Sequence, residues 1–382
     1  MILTVKRLIS RITVHGKKGM QYRSLGKTGL DVSVIGVGAA MLGQSRASYA
    51  IKVVQRALDL GINYIDTARG YWNSEIKLGT ALQGRRSQVY LSSKTHAFSR
   101  EEAWRELKES MERLQTSYLD NYFLHALHDT ADIDRRLGPG GALEALVEAR
   151  EQGLVHHIGC TSHRSAILIQ ALKRFEFETI LVPMNIVERE PLDELIPLCQ
   201  QKGVGITIMK PVATGLLPAG LALKWLLNQP IATAVPGMTT IEEAEENAAV
   251  GHLEDLSLTS DERAEVHRIH QQLDHVRCRI CRLCEPCPQK IPIGSILGTD
   301  VMYDHYRNMG PDTFLAFPWD VEQVKNHVGE RKTRLAAVQS CTKCGECEPK
   351  CAYHLPIIKM LQNTITPMIE MLQVWNEQFG FE

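Results

Sequence analysis

Val89-Tyr-Leu-Ser-Ser-Lys94, Ser99-Arg-Glu-Glu-Ala-Trp-Arg-Glu-Leu-Lys-Glu-Ser-Met-Glu-Arg-Leu114 and Leu119-Asp-Asn-Tyr-Phe-Leu-His125 are the stretch that decides the fold. Two short, β-prone apolar runs flank one amphipathic helix. Trp104, Leu107, Met111 and Leu114 share a face at helical spacing. Ser99 is the expected N-cap, and Glu102 completes a capping box. Strand, helix and strand in this order make a parallel crossover unit. The pattern extends both ways. Further strands are expected at Val34–Ala39, Asn63–Ala68, His157–Thr161, Thr179–Asn185, Gly205–Pro211 and Thr233–Met238. Eight strands, each followed by a helical stretch, argue for an α/β fold, a closed (β/α)8 TIM barrel. An open doubly wound sheet is the alternative, but no GxGxxG follows the first strand. Met20–Ser33 reads as a hairpin turning at Gly26-Lys-Thr-Gly29.

Beyond residue 258 the barrel pattern stops. Thr259–Val276 reads as a linker helix, and the expected division is 1–19 extension, 20–258 barrel, 259–277 linker and 278–382 cysteine-bearing domain. Leu355–Gln378 is apolar at helical spacing, with a kink or break expected near Pro367. The basic first 19 residues lack the uninterrupted apolar core of a signal peptide, because Lys6, Arg7 and Arg11 break it. They read as an ill-ordered extension, or as sequence upstream of a true start at Met20.

Eight of ten cysteines form two tight runs, Cys278-x2-Cys281-x2-Cys284-x2-Cys287-Pro288 and Cys341-x2-Cys344-Gly345-x-Cys347-x3-Cys351. Three thiolates at intervals of three wrap one iron–sulfur cubane, and a fourth ligand often serves the neighbouring cluster. The second run has the bacterial ferredoxin spacing, with Ala352 where proline is usual. The first keeps the proline and is one residue short. Two [4Fe-4S] clusters in a mostly helical, ferredoxin-like domain are therefore expected. Zinc, whose ligand pairs are usually separated by about 12–20 residues, and disulfides, which belong to oxidising compartments, are the competing readings. Which fourth cysteine serves which cluster stays open. Cys160 and Cys199 read as buried thiols.

Net charge is −1, with 44% hydrophobic and 23% charged residues. No global basic field points to nucleic acid, and no stretch reaches the about 20 apolar residues of a membrane span. Thiolate ligands without an export signal point to the cytoplasm.

Strand ends face the active site of such a barrel. Asp66, Lys94 and His125 close the second, third and fourth strands, and Tyr71 lies in the loop after the second. An ammonium beside a phenol favours the phenolate and lowers its pKa. Asp66 would hold Lys94, and His125 would orient a carbonyl oxygen. His128 is a second histidine near the mouth. His163-Arg164 starts a helix, where an anion can sit on free amides; capping or solvent exposure is the plainer reading.

These residues stand in stretches that resemble the aldo-keto reductase family: Tyr22-Arg-Ser-Leu-Gly-Lys-Thr-Gly29, Asn63-Tyr-Ile-Asp-Thr-Ala68 with Tyr71 and Ser74-Glu75, Ser93-Lys94, Asp120-Asn-Tyr-Phe-Leu-His125, Ile158-Gly159, Met209-Lys210-Pro211, Pro236-Gly237 and Glu246-Asn247. The cysteine runs further resemble the iron–sulfur subgroup of that family. The resemblance implies that Tyr71 is the general acid, Lys94 and Asp66 its tuning pair and His125 the orienting group. It also implies NAD(P)H lying across the mouth. Thr161, Ser162 and Asn185 would then stand near the nicotinamide, and Lys210, Gly237, Glu246 and Asn247 near the phosphates and adenine. The substrate would be a small carbonyl compound or alcohol.

Three departures stand out. Trp72 follows Tyr71 where the family often has glycine, which narrows the site or offers a stacking face. The fifth strand ends Thr161-Ser162-His163 rather than Ser-Asn. Glu242, Glu243, Glu245 and Glu246 follow Gly237 where members favouring NADPH carry a cation, so NADH is favoured, or Lys210 alone takes the 2′-phosphate, or binding is weak. Hydride carries two electrons and a cluster passes one, so the clusters brace the region, sense redox state, or feed a redox partner protein through a flavin for which no fingerprint is evident. The rival reading is an iron–sulfur electron-transfer module whose barrel is a docking scaffold.

Overall fold

The computed structural model describes residues 19–298 and 301–380; the expected N-terminal extension lies almost wholly outside them. Among the described residues ten strands form in chain order: β1 (Tyr22–Ser24), β2 (Asp31–Ser33), β3 (Val37–Gly38), β4 (Tyr64–Asp66), β5 (Tyr90–Thr95), β6 (Leu119–Leu124), β7 (Val155–Thr161), β8 (Thr179–Pro183), β9 (Gly205–Met209) and β10 (Thr233–Val235). β3 to β10 pair in sequence order, every pair parallel. Parallel bridges Ile35↔Ala234 and Gly38↔Gly237 join the first of these to the last. The sheet therefore closes, as the alternating pattern predicts, and the open doubly wound sheet is excluded. The helix after β5 runs Arg100–Arg113 with the Ser99–Glu102 capping box formed.

β1 and β2 make the expected antiparallel hairpin. It plugs the N-terminal end of the barrel. Leu25 and Val32 pack with the interior residues Tyr64, Tyr90, Phe123, Leu181 and Val235. Gly26 is needed at the turn: its φ is +57°, and a Cβ there would lie 2.3 Å from the Gly205 nitrogen. With one end stoppered, the opposite end is left for chemistry.

After the barrel, helix Ser260–Leu273 is capped by Thr259 and Glu262. Helices Val301–Ala316, Val321–Gln339 and Ile357–Phe379 follow. The first departs from helical geometry at Gly310, just before Pro311. The last runs through Pro367 as one element, so the expected break is absent. These helices share an aromatic core. Fully buried Trp375 lies 5.4 Å from Phe314 and 5.6 Å from Trp319, ring centre to ring centre. A second apolar cluster, including Ile291, Ile296, Val338, Leu355 and Leu361, surrounds the cysteines.

The C-terminal region is fastened over the barrel mouth. On one side the Arg46 amide donates to the Pro318 carbonyl at 2.7 Å, the Asp320 amide donates to the Gln44 carbonyl at 2.7 Å, and Lys77 pairs with Asp320 at 3.4 Å. On the other, buried Arg277 pairs with buried Glu188 at 2.6 Å and donates to the Ala213 carbonyl. No helix among the described residues is long and apolar enough to cross a membrane.

Truncating a fully enclosed indole removes its contacts and leaves a cavity. Trp375→Ala is expected to destabilise the protein by about 3–5 kcal/mol, read by urea denaturation. A loss below about 1 kcal/mol would show that this aromatic core does not hold the C-terminal helices.

Candidate active site at the barrel mouth

Barrel closure brings together four side chains that are far apart in sequence. Asp66 ends β4, Lys94 lies at the end of β5, His125 follows β6, and Tyr71 sits in the loop beyond β4. Lys94 is 0% and Asp66 4% exposed. Lys94 Nζ donates to Asp66 Oδ2 at 2.7 Å and to the Thr67 carbonyl at 2.6 Å. Ser92 Oγ donates to Asp66 Oδ1 at 3.0 Å. Lys94 Nζ stands 4.8 Å from the centre of the Tyr71 ring. The Tyr71 and His125 rings meet edge to face at 5.7 Å.

Burial opposes charge on both members of the ion pair. It raises Asp66, held back by Lys94 and Ser92. It would lower Lys94, but Asp66 and Tyr71 more than offset it and leave the ammonium above its ordinary range. With short hydrogen bonds on each partner, the pair is ionic. Tyr71 corrects the sequence expectation. Burial raises its pKa first, and Lys94 only partly reverses that. The phenol is therefore stabilised in its protonated form.

His125 is held neutral, its pKa pushed well below 6.5 by burial and then by His96, Lys94, Arg136 and His163. Its Nδ1 is buried and has no hydrogen-bond partner among the described residues. His96 stacks on it at 4.0 Å and is pushed down to about 4, chiefly by burial and then by Arg136. The sequence reading passed over His96, although the two-residue strand period sets it on the same side as Lys94. It also passed over Arg136. This guanidinium, 1% exposed, donates to the carbonyls of His125 and Thr95, both at 2.8 Å, and so fixes two strand ends. No local signal marks Arg136, which reaches the site from helix Thr130–Leu137.

Trp72 adopts φ +45°, its carbonyl accepting from Arg113. Its indole donates to His327 on helix Val321–Gln339, so it forms a wall with the C-terminal region. His128 is exposed, and its carbonyl accepts from Arg164 at 3.3 Å. His163 is half-buried, with Nδ1 shielded and unpartnered among the described residues.

The residues singled out for a cofactor line the ends of β7 to β10. Thr161 Oγ1 accepts from the Ala126 amide, and Ser162 Oγ donates to the Leu127 carbonyl. Asn185 Oδ1 accepts from the Val187 and Glu188 amides, and its Nδ2 donates to the Lys210 carbonyl. These three brace loops. Lys210 Nζ donates to the Gly298 carbonyl at 2.9 Å, which turns it toward the C-terminal region. A Cβ on Gly237 would meet nothing within 4 Å, so space is open there. On the adjoining helix Ile241–Gly251, Glu246 is exposed and Asn247 buried. Glu243 caps that helix and Glu245 pairs with Arg56 at 2.7 Å, which leaves Glu242 and Glu246 facing solvent.

The cysteines line two adjoining cavities. One is bordered by Cys278, Cys281, Cys284 and Cys351. The other is bordered by Cys284, Cys287, Cys341, Cys344 and Cys347. Gly345 takes φ +83°, a left-handed conformation that glycine favours. Arg279 joins the first cavity to the mouth by donating to the Val187 carbonyl. Cys160 and Cys199 are both buried, the latter pushed up to about 12 by burial.

A profile of the Aldo/keto reductase family matches residues 34–220. L-galactose dehydrogenase of Arabidopsis thaliana is 30% identical over 303 residues, covering 65% of this chain and 94% of that protein. The solved structure of aldo-keto reductase AKR11C1 from Bacillus halodurans, in its holo form, aligns with a TM-score of 0.57 at 30% identity, over 65% of this chain and 96% of that one. An aldo-keto reductase from Klebsiella pneumoniae in complex with NADPH aligns with a TM-score of 0.56 at 25% identity, over 66% and 95%.

The histidines around the mouth give a pH signature. Unfolded histidines take up protons near pH 6.5. Folded His96, His125 and His163 resist them, so the unfolded state binds more protons and stability falls as pH drops through that range. Denaturation midpoints should decline from pH 7.5 to 5.5, and His125→Gln combined with His163→Asn should flatten the slope. An unchanged slope would refute this assignment.

Proposed function

We propose, on the premise that the chain belongs to the aldo/keto reductase family, that this NAD(P)H-dependent oxidoreductase acts on the carbonyl group of a small molecule or on the corresponding alcohol, with Tyr71 managing the proton. The observation that carries this reading is the phenol set between a buried Lys94–Asp66 pair and the neutral His125 ring. The nicotinamide, when bound, supplies or accepts the hydride. Tyr71 donates its proton to the carbonyl oxygen as negative charge builds there. Burial keeps that proton in place at neutral pH, and the nearby ammonium stabilises the phenolate left behind. Neutral His125 donates a hydrogen bond that orients the oxygen. Arg136 positions His125 through its backbone carbonyl. In the alcohol-oxidising direction Tyr71 must first lose its proton.

The open space at Gly237 fits a dinucleotide backbone, with exposed Glu246 accepting from ribose hydroxyls and Asn247 beside it. Thr161, Ser162 and Asn185 hold the loops against which the nicotinamide rests. Glu242 and Glu246 repel a 2′-phosphate, and Lys210 is engaged by Gly298, which favours NADH over NADPH.

In this reading residues 20–258 are the barrel, 259–277 the linker and 278–382 a ferredoxin-like cluster domain. Each cavity carries enough cysteines for one [4Fe-4S] centre, and such centres supply one-electron storage. The lining supports crossed ligand sets: Cys278, Cys281, Cys284 and Cys351 for one, and Cys287, Cys341, Cys344 and Cys347 for the other. Among the described residues no three His, Cys, Asp or Glu side chains are grouped to hold a single ion. Exposed Cys344 would turn the second centre toward a redox partner protein. Thiolate ligands of this kind belong in a reducing compartment such as the cytoplasm.

Tyr71→Phe should lower carbonyl reduction at least 100-fold while leaving the visible absorbance of the clusters unchanged, and wild-type alcohol oxidation should climb with pH through the alkaline range. Reduction that survives the substitution sinks the proton assignment.

Anaerobically purified protein should hold about eight irons per chain. By electron paramagnetic resonance, Cys287→Ser should perturb the same signal as Cys344→Ser, and Cys351→Ser the same signal as Cys281→Ser. The opposite pairing would overturn the crossed ligand sets, and zinc in place of iron would overturn the clusters.

A further inference from the structure

We propose that the face around Cys344 is the docking surface for an acidic one-electron carrier protein. The proposal rests on the cluster reading above and adds where such a partner binds and by what chemistry. The two cysteine cavities share Cys284. Arg279 lines the first and reaches the barrel mouth through the Val187 carbonyl. Cys344 lines the second and is the exposed one of the ten cysteines. The adjoining pair thus leads from the mouth to the surface. In a contact there, one electron passes between cluster and carrier. One centre loses the charge that the other gains, and no proton moves.

Lysines surround that opening. Lys350 lines the second cavity, and Lys290, Lys343 and Lys359 each stand next in sequence to a residue that lines it. All four are exposed, and none makes an ion pair among the described residues. The nearby carboxylates are largely engaged. Glu285 Oε1 accepts from the Gly294 amide at 2.8 Å, and Glu348 Oε1 accepts from the Ile358 amide at 3.1 Å. Glu346 is left exposed. The whole chain carries a net charge of −1, so this positive rim is local. Iron held by thiolates adds negative charge inside the rim, but ammoniums on four-carbon stems meet an incoming surface first. Carboxylates on a partner would speed encounter and fix its orientation. Redox contacts of this kind are small and transient, and Pro286 and Pro288 stiffen the rim, so little order is lost on contact. A nucleic acid would also seek lysines. No aromatic side chain lines the cavity for a base to stack on, which favours the protein carrier.

Binding to three probes tests the face, on anaerobically purified protein whose iron is counted first. The probes are an acidic plant-type ferredoxin, basic cytochrome c and a double-stranded DNA oligonucleotide, each followed by biolayer interferometry. Ferredoxin should bind at least tenfold more tightly than the other two, and should weaken at least tenfold between about 20 and about 200 mM salt. Lys290→Glu with Lys359→Glu should weaken ferredoxin at least tenfold while the visible absorbance of the clusters is unchanged. Lys52→Glu with Lys173→Glu makes the same change of charge on exposed positions of the barrel helices Ala47–Asp59 and Ser165–Arg174, and should leave binding within twofold. If the first double variant loses iron, Lys359→Glu alone, on helix Ile357–Phe379, decides at a threefold loss. No ferredoxin binding, equal binding of cytochrome c or DNA, or an equal loss in the barrel variant overturns the proposal. A purified chain without iron ends the cluster reading and this proposal together; iron present with the wrong preference ends this proposal alone.

Discussion

The site depends on one buried ion pair. Taking Lys94 and Asp66 out of water costs several kcal/mol per ion, and their attraction recovers it only where the remaining donors and acceptors are satisfied. Thr67 and Ser92 meet that condition. Stability is not what such a pair supplies, since apolar residues of similar volume often do as well or better in its place. It supplies a fixed positive charge beneath a phenol, in a region of low dielectric where that charge acts strongly. The barrel makes this possible, because adjacent parallel strands deliver Asp66 and Lys94 to the same rim.

The rim is then held rigid from outside. Arg136 ties the carbonyls of Thr95 and His125, so the backbone bearing His96 and His125 cannot shift independently. Buried Glu75 accepts from Ser93 Oγ at 2.6 Å, linking the helix beyond Tyr71 to the strand that carries Lys94. Burial, reinforced by the nearby Lys94 and Arg136 cations, keeps the imidazoles of His96 and His125 neutral. A neutral ring can donate to a carbonyl oxygen without adding a second full charge that competes with Lys94.

Much of this was legible in the sequence, because it follows from period and placement. Alternating strand and helix patterns gave the closed barrel, the Ser99–Glu102 box gave a helix start, and strand-end positions gave Asp66, Lys94 and His125. What escaped was non-local or depended on burial. Arg136 enters from a neighbouring helix. Trp72 meets His327 across 255 positions. The sign of the Tyr71 shift turned on desolvation, which no spacing encodes, and the Lys94 effect alone pointed the wrong way. Pro367 disfavours helix continuation locally, yet Met368, Met371 and Trp375 bury one face of that helix, and tertiary packing carries it through.

The cysteine region bears on the barrel mechanically. Burial pushes the Cys278 and Cys284 thiols up to about 11 and about 12, which favours their protonated forms. Binding iron requires thiolates, and metal binding is thereby coupled to the local fold. That fold reaches the mouth through Arg277 to Glu188 and to the Ala213 carbonyl, Arg279 to the Val187 carbonyl, and Lys210 to the Gly298 carbonyl. Val187 and Glu188 are also the residues whose amides Asn185 holds. The loop beside the expected nicotinamide position is therefore shared between the barrel and the cysteine cavities. A cluster bound there would shape the cofactor's surroundings even if no electron passed, so the mismatch between one-electron and two-electron carriers would not by itself prevent one chain from holding both.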